Sequence, residues 1–187
     1  MLNSIFENQD LSKVKSINHG KMKEKIARMT YAHKMQNKQK HFAVFDAGIT
    51  VSPSTPYLAA SPDGKIFDPS GSSKYGLLEI KCPFSKKDET LEQAAADPNF
   101  YLKLNEDGNF YLKSEHRSGY FAQVQGQLAL TGLEWCDFCV YLSQSNEMCV
   151  DRIYFDQDYW SQELFPKLKE FYMKHALPFL VEREHDI

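Results

Sequence analysis

The tightest constraint on the fold of this chain is one short run, Gly76-Leu-Leu-Glu-Ile-Lys-Cys-Pro83. Leu77, Leu78 and Ile80 ask for burial, yet Glu79 and Lys81 stand among them. Two residues apart on a strand, those two side chains leave from the same face. A carboxylate and an amine turned inward need partners, because burying an unpaired charge is strongly unfavourable. Upstream, Ser61-Pro-Asp-Gly64 has the residue types of a turn, and Lys65–Phe67 restarts a strand. A hairpin from that turn, returning through Gly76–Lys81, brings the carboxylates of Asp63 and Glu79 to a common point. Two carboxylates so close repel unless a cation neutralises them, and hard oxygen ligands suit Mg²⁺ or Mn²⁺. Lys81 beside such a cation orients an attacking water or offsets charge on a pentacovalent phosphorane. Each piece alone has an ordinary reading: Asp-Gly as turn chemistry, Glu-x-Lys as a weak surface pair. The apolar neighbours favour the inward one.

Length and composition bound the rest. A chain of 187 residues and 21.6 kDa suits one domain, 1–187, with at most a small annex. Mean hydropathy is -0.51, and no apolar run approaches the roughly 20 residues that cross a bilayer. The first ten residues lack a basic stretch followed by an apolar one, so no secretory signal is expected. Four cysteines in a chain this long point to reduced thiols and an intracellular protein, nuclear or cytoplasmic. Cys136-Asp-Phe-Cys139 with Cys149 nearby offers three thiols but no Cys/His pair as a fourth zinc ligand, so buried thiols are expected. Charge is uneven: Lys13 to Lys40 contains nine basic residues and one acid, Glu24, a net +8 in a chain whose total is -3. A basic segment on an acidic body suits a polyanion on one face and carboxylate chemistry on another. A solvated helix face beside ordinary surface acids would carry the same charges.

Periodicity predicts a helix over 20–40, with apolar positions at Met22, Ile26, Ala27, Met29 and Ala32. Strands are predicted at 42–51, with a possible bulge at Gly48, and at 57–61, 65–67 and 76–81. A short helix follows at 88–96. The repeat Asn99-Phe-Tyr-Leu-Lys103 and Asn109-Phe-Tyr-Leu-Lys113 flanks Asn105-Glu-Asp-Gly108, the pattern of a hairpin. A helix at 119–131, strands at 135–142 and 148–155, and a closing helix at 156–176 complete the order, with Pro166 expected to kink or break the last. The class is α/β: a central mixed β-sheet flanked by helices.

Asp63…Glu79-Ile-Lys81, with Pro62, is the PD-(D/E)xK nuclease pattern. The longer string Ala60-Ser-Pro-Asp-Gly64…Gly76-Leu-Leu-Glu-Ile-Lys-Cys-Pro83 resembles the YqaJ viral recombinase branch, relatives of lambda exonuclease. Asn18-His-Gly20…Glu24…Ala27-Arg28…Tyr31 is similar to that family's first helix, and Tyr120-Phe-Ala-Gln-Val-Gln-Gly-Gln127 to its glutamine-bearing helix. Trp135-Cys-Asp-Phe138 and Arg152–Trp160 resemble its last strands and C-terminal helix. The likeness spans about residues 16–180.

The resemblance implies a PD-(D/E)xK restriction-endonuclease-like core and a Mg²⁺- or Mn²⁺-dependent DNA nuclease, a 5′-to-3′ exonuclease of recombination or repair. It implies Asp63, Glu79 and Lys81 as catalytic and Glu24 as a metal-side or water-activating carboxylate. Asp63, Glu79, Glu24 and the backbone carbonyl of Ile80 would be the metal ligands. Gln123 and Gln127 share a helix face from which Gln125 points away; the family favours Gln123 as the residue that orients Lys81 or the water. For DNA the candidates are Lys21, Lys23, Lys25, Arg28, Ser61, His116 and Tyr120, although Tyr120 and Tyr31 are more often core residues and His19 and His33 carry no specific signal. The implied partners are double-stranded DNA ends, further copies of the chain and a single-strand annealing recombinase, with no membrane. Such proteins carry a serine/arginine segment for 5′-end binding, of which this chain has no clear equivalent. The resemblance therefore extends to the nuclease core and not to end specificity, processivity or a toroidal trimer. The alternatives are a PD-(D/E)xK DNA-binding protein without activity and a structure-selective endonuclease.

Overall fold

The computed structural model describes residues 2–6 and 10–185. Contacts divide the chain into two compact units, one of Met1–Lys13 with Asp156–Ile187 and one of Val14–Phe155. The smaller unit opens with α1 (Leu2–Phe6). The larger begins with α2 (Lys15–Lys38) and continues through β1 (Ala43–Phe45), β2 (Thr50–Val51), β3 (Ala59–Ala60), β4 (Gly64–Phe67) and β5 (Tyr75–Lys81). After a 3₁₀ turn at Phe84–Lys86 come α3 (Leu91–Ala96), β6 (Leu102–Leu104), β7 (Phe110–Leu112), α4 (Tyr120–Thr131), β8 (Trp135–Leu142) and β9 (Glu147–Tyr154). In the smaller unit again, π-helical turns at Tyr159–Leu164 and Tyr172–Ala176 alternate with α5 (Phe165–Phe171) and α6 (Leu177–His185). Phe6 of α1 stacks on Phe179 of α6 there.

A five-stranded mixed sheet, ordered β1-β4-β5-β8-β9, carries the larger unit. β5 and β8 run parallel and every other pair in it runs antiparallel. A parallel neighbour requires a crossover, and residues 82–134 supply it, delivering α4 to the face from which Glu79 projects. Strand alternation sorts the core into two layers. Leu77, Phe138, Val140 and Leu142 cluster with Leu91 and Ala94 of α3 and with Val124 and Leu128 of α4. Leu78, Ile80, Trp135, Cys139 and Tyr141 cluster with Ala27 and Tyr31 of α2. With helices on both faces, β8 is buried along its whole length.

One ionic knot lies inside the α2 layer. Asp137, 1% exposed, faces Arg152 across the β8–β9 ladder. It accepts from Nε at 2.7 Å and Nη2 at 3.0 Å, and from the Tyr31 hydroxyl at 2.6 Å. Arg152 also reaches Asp68, at 3.1 Å, and its guanidinium lies 3.8 Å from the centre of the Trp135 ring. Trp135 donates to the Ser73 carbonyl and leaves room only for glycine at position 76, where a Cβ would stand 2.4 Å from the indole.

Several sequence expectations change. Helix α2 starts at Lys15, so Gly20 lies inside it, and Met22, Ile26 and Met29 are exposed; the buried residues are Ala27 and Tyr31. The stretch 42–51 is no single bulged strand. β1 pairs with β4 while β2 pairs with β3 in a separate ribbon, and Gly48 falls where the chain passes between the two. Pro62-Asp-Gly64 is accordingly a bend leading into β4 rather than the tip of a β3–β4 hairpin. The helix expected from Asp88 begins at Leu91, behind a capping box that Thr90 and Gln93 complete. Pro166 does not break the last helix. It and Pro178 each follow a π-helical turn, whose wider i→i+5 spacing accommodates a ring that would clash in a regular α-turn. The hairpin β6–β7, helix α4 and strands β8 and β9 form where the sequence places them.

Removing Asp137 strands a partly buried guanidinium and the Tyr31 phenol together. The Asp137→Ala variant is expected to lose roughly 3 kcal/mol of unfolding free energy, read from urea titration. A loss below about 0.5 kcal/mol, the size of an ordinary surface substitution, would show that the knot does not hold the sheet to α2.

Candidate active site

The bend before β4 and the end of β5 meet through sheet register. Gly64 pairs with Leu78, so Asp63, one residue earlier, lies opposite Glu79. Gly64 is packed tightly: an added Cβ would meet Phe45 O and Val44 Cγ1, each at 3.3 Å. Asp63 Oδ2 accepts the Ile80 N–H at 2.6 Å. In an extended strand one residue's N–H and C=O leave by the same edge, so the Ile80 carbonyl points toward Asp63 as well.

Glu79 is 2% exposed, and both of its oxygens accept hydrogen bonds. Its Oε1 accepts from Lys81 Nζ at 2.6 Å and from Gln123 Nε2 at 2.7 Å, and its Oε2 accepts from Gln127 Nε2 at 2.8 Å. Helix α4 supplies both glutamines because positions four apart share a face; Gln125 points elsewhere and donates to the Tyr154 carbonyl. The ammonium of Lys81 lies 4.6 Å from the centre of the Tyr120 ring, a cation–π distance.

Lys81 and Ile80 of β5 line a cleft of about 320 Å³, together with Gly20 and Glu24 of α2 and with Tyr101 and Tyr120. Glu24 reaches the cleft because it precedes Ala27 and Tyr31 by one and two turns on the same face of α2. Gly20 leaves open space there. Burial first, then the charges of Glu79 and Glu24, pushes the Asp63 carboxyl up to about 7. The Asp63 carboxyl is thus both buried and near the charges of Glu79 and Glu24, surroundings in which a bound cation would favour its ionised form. Asp63, Glu79 and the Ile80 carbonyl are hard oxygen donors of the kind Mg²⁺ and Mn²⁺ take, with waters completing the set. Among the described residues no three His, Cys, Asp or Glu side chains gather into a metal cluster, so an ion here would rely on a backbone carbonyl and water.

Of the residues named from the sequence, Lys81 and Glu24 line the cleft, Glu79 accepts from Lys81 and Gln123, and Asp63 accepts from Ile80 of the cleft wall. The DNA candidates are more scattered. Lys21 and Lys25 are exposed on α2 and Lys23 partly so. The Arg28 guanidinium bonds Asp46 at 2.6 Å, not Glu24 four residues away. Ser61 is exposed. Both ring nitrogens of His116 are engaged: Nε2–H donates to the Asn99 carbonyl ahead of β6 at 2.9 Å and Nδ1 accepts the Ser118 N–H at 3.1 Å. Cys136, Cys139 and Cys149 are buried thiols; burial pushes Cys149 up to about 12. Sequence reasoning left out Gln127, although its i,i+4 spacing from Gln123 was the signal. It also missed Tyr101, which arrives on the crossover hairpin and leaves no local mark.

Asp63 has a consequence for stability. A carboxyl whose pKa rises on folding favours the folded state fully below its unfolded value near 3.8, and loses that advantage as pH rises to about 7. In chelator, wild-type protein should lose up to a few kcal/mol across this interval, at about 1.4 kcal/mol per unit. Asp63→Asn keeps an acceptor for Ile80 and removes the ionisation, so its melting temperature should gain on wild type between pH 5 and pH 8. A constant difference across those melts would show that Asp63 is not held in this environment.

The geometry can be set beside known proteins. No curated protein matches the sequence at a significant level. Among solved structures, the fold is similar to that of the alkaline exonuclease LHK-Exo from Laribacter hongkongensis, with a TM-score of 0.62 and 25% identity over 92% of this chain and 75% of that one. LHK-Exo in complex with dAMP is similar in fold at a TM-score of 0.56 and 24% identity, over 92% of this chain and 80% of that one. The sequence profile of the YqaJ-like viral recombinase domain matches residues 3–134, which include the β4–β5 hairpin and both glutamines of α4. This chain belongs to the family of YqaJ-like viral recombinase domains.

Proposed function

We infer that the chain is a divalent-metal-dependent deoxyribonuclease, hydrolysing DNA phosphodiesters from double-stranded ends in the 5′-to-3′ direction during recombination or repair. The observation that carries this reading is the convergence of Asp63, Glu79 and Lys81 at the end of β5, where Asp63 lies opposite Glu79 and Lys81 bonds it. The likeness to an alkaline exonuclease supports the reaction class. Bound between Asp63, Glu79 and the Ile80 carbonyl, Mg²⁺ would polarise a phosphoryl oxygen and lower the pKa of a coordinated water. Lys81 sits within reach of the same point, where its ammonium offsets charge as the phosphorane forms. Gln123 donates to the same Glu79 oxygen as Lys81 and so helps to fix the acceptor on which the amine rests. Glu24, at the mouth of the cleft, is placed to orient a water. Lys21, Lys23 and Lys25 on α2 would neutralise backbone phosphates.

Glu79→Gln and Lys81→Ala should each reduce cleavage of end-labelled linear DNA by about 10²-fold or more in Mg²⁺. Ca²⁺ should occupy the site and permit DNA binding while supporting little hydrolysis, its longer and looser coordination activating water less well. Wild-type rates in either variant, or equal rates with Ca²⁺ and Mg²⁺, would defeat the assignment. Cleavage of covalently closed circles would make the chain an endonuclease of the same chemistry, and binding without cleavage a DNA-binding relative.

Protons and metal compete for Asp63. Affinity for Mn²⁺, measured by calorimetry, should therefore fall as pH drops through about 7 in wild type, and Asp63→Asn should bind weakly throughout. For the basic helix, the test is a salt titration of DNA binding by the Glu79→Gln protein. Log K should fall by about 0.9 per log unit of salt for each phosphate neutralised, and replacing Lys21, Lys23 and Lys25 with Gln should flatten that slope by two to three such contacts. An unchanged slope would make these lysines solvated surface.

A further inference from the structure

We propose that Gln127 is a positioning residue that determines how Glu79 receives its metal, an inference that rests on the metal reading above. The argument is an inventory of acceptor positions. A carboxylate offers about four lone-pair directions, two on each oxygen. On Glu79, Oε1 already accepts from Lys81 at 2.6 Å and Gln123 at 2.7 Å, which fills it. Among the described residues Oε2 accepts only from Gln127, at 2.8 Å. The open acceptor direction on Glu79 therefore belongs to the oxygen that Gln127 holds. Rotation of the carboxylate about its last bond would exchange the roles of the two oxygens. Gln127 opposes that rotation from one side as Gln123 and Lys81 do from the other.

Gln127 is suited to the task. It is 4% exposed, so its bond to Glu79 is made away from competing water. It lies one turn beyond Gln123 on α4, between Val124 and Leu128, which are both fully buried and anchor the helix to the sheet. Its own Oε1 is buried with no hydrogen-bond partner among the described residues. A buried amide that leaves its oxygen unsatisfied is costly to keep for packing alone, where Met or Leu would fill the space without that cost. The amide's one bond, its donation to Glu79, is what distinguishes it from such a residue. Residues that orient a metal ligand in this way commonly change metal affinity or activity by 10–100-fold when replaced.

The test uses the whole chain with Mn²⁺ as probe, without DNA, comparing wild type, Asp63→Asn, Gln123→Met and Gln127→Met by calorimetry, with melting curves to verify folding. Methionine nearly matches glutamine in length, and it removes an unsatisfied oxygen along with the donor, so the fold should hold. Gln127→Met should weaken Mn²⁺ binding by about 10–100-fold. Gln123→Met, acting on the saturated oxygen, should weaken it less. In cleavage assays Gln127→Met should need correspondingly more Mg²⁺ while its KM for DNA stays near the wild-type value, a split that general loosening of α4 would not produce. Should Gln127→Met fail to fold, Gln127→Asn, one methylene short of Glu79, is read by the same criteria. If Asp63→Asn weakens Mn²⁺ binding and the folded Gln127 variant does not, the role assigned to Gln127 is overturned. If Asp63→Asn binds like wild type, the metal reading itself fails, and this inference with it.

Discussion

The charge of Glu79 is the constraint around which the larger unit is organised. A carboxylate 2% exposed on a central strand persists only if donors surround it. Three converge here from two elements: Lys81 on the same strand and two glutamines one turn apart on α4. That demand accounts for the otherwise polar face of α4 in an apolar layer. It also makes the long crossover from β5 to β8 consequential, because the crossover is what lays α4 over β5. Two donors on one oxygen and one on the other orient the group and, among the described residues, leave one acceptor direction without a donor.

The opposite layer of the sheet brings the remaining chemistry from a different part of the chain. Ala27 and Tyr31 seat α2 on the sheet, and two turns before Tyr31 the same helix face presents Glu24 to the cleft. The seat itself is electrostatic as well as apolar, since Tyr31 donates to Asp137, which Arg152 grips with two bonds. A buried ionic group of this kind is poor value for stability compared with hydrocarbon, but it accepts only one arrangement of its partners. The angular placement of α2, and with it Glu24, depends on that selectivity.

The electrostatic division of the chain takes a more specific form in three dimensions than a charge total suggests. Of the nine basic residues between Lys13 and Lys40, Arg28 is paired with Asp46 and Lys34 donates to the Met148 carbonyl. Lys21, Lys23 and Lys25 carry no such bond among the described residues and lie beside the cleft wall formed by Gly20 and Glu24. Positive charge thus borders the cleft wall, while Asp63 close by is held up by burial first and then by the charge of Glu79.

By itself the sequence determined what is local or strictly periodic. The mixed α/β class, the β6–β7 hairpin, α4, β8 and β9 follow from short-range patterns of apolar residues and turn formers. Asp63, Glu79 and Lys81 were legible because ionisable groups inside an apolar strand are unfavourable without a purpose, and strand alternation says which of them share a face. Tertiary structure decided the rest. Gly20 and Pro166 look like boundaries in sequence, yet packing carries α2 past the first and π-helical turns make room for the second. Met22, Ile26 and Met29 have helical spacing but face outward, because the stripe that fits the sheet is the one holding Ala27 and Tyr31. Spacing put Gln127 on the face of Gln123, but its bond to Glu79, like the place of Tyr101, became visible only once α4 and the crossover hairpin were laid over β5. Local propensity records what each segment prefers; which face of it meets which partner is settled by contacts between residues far apart in the chain, and those contacts leave no local trace.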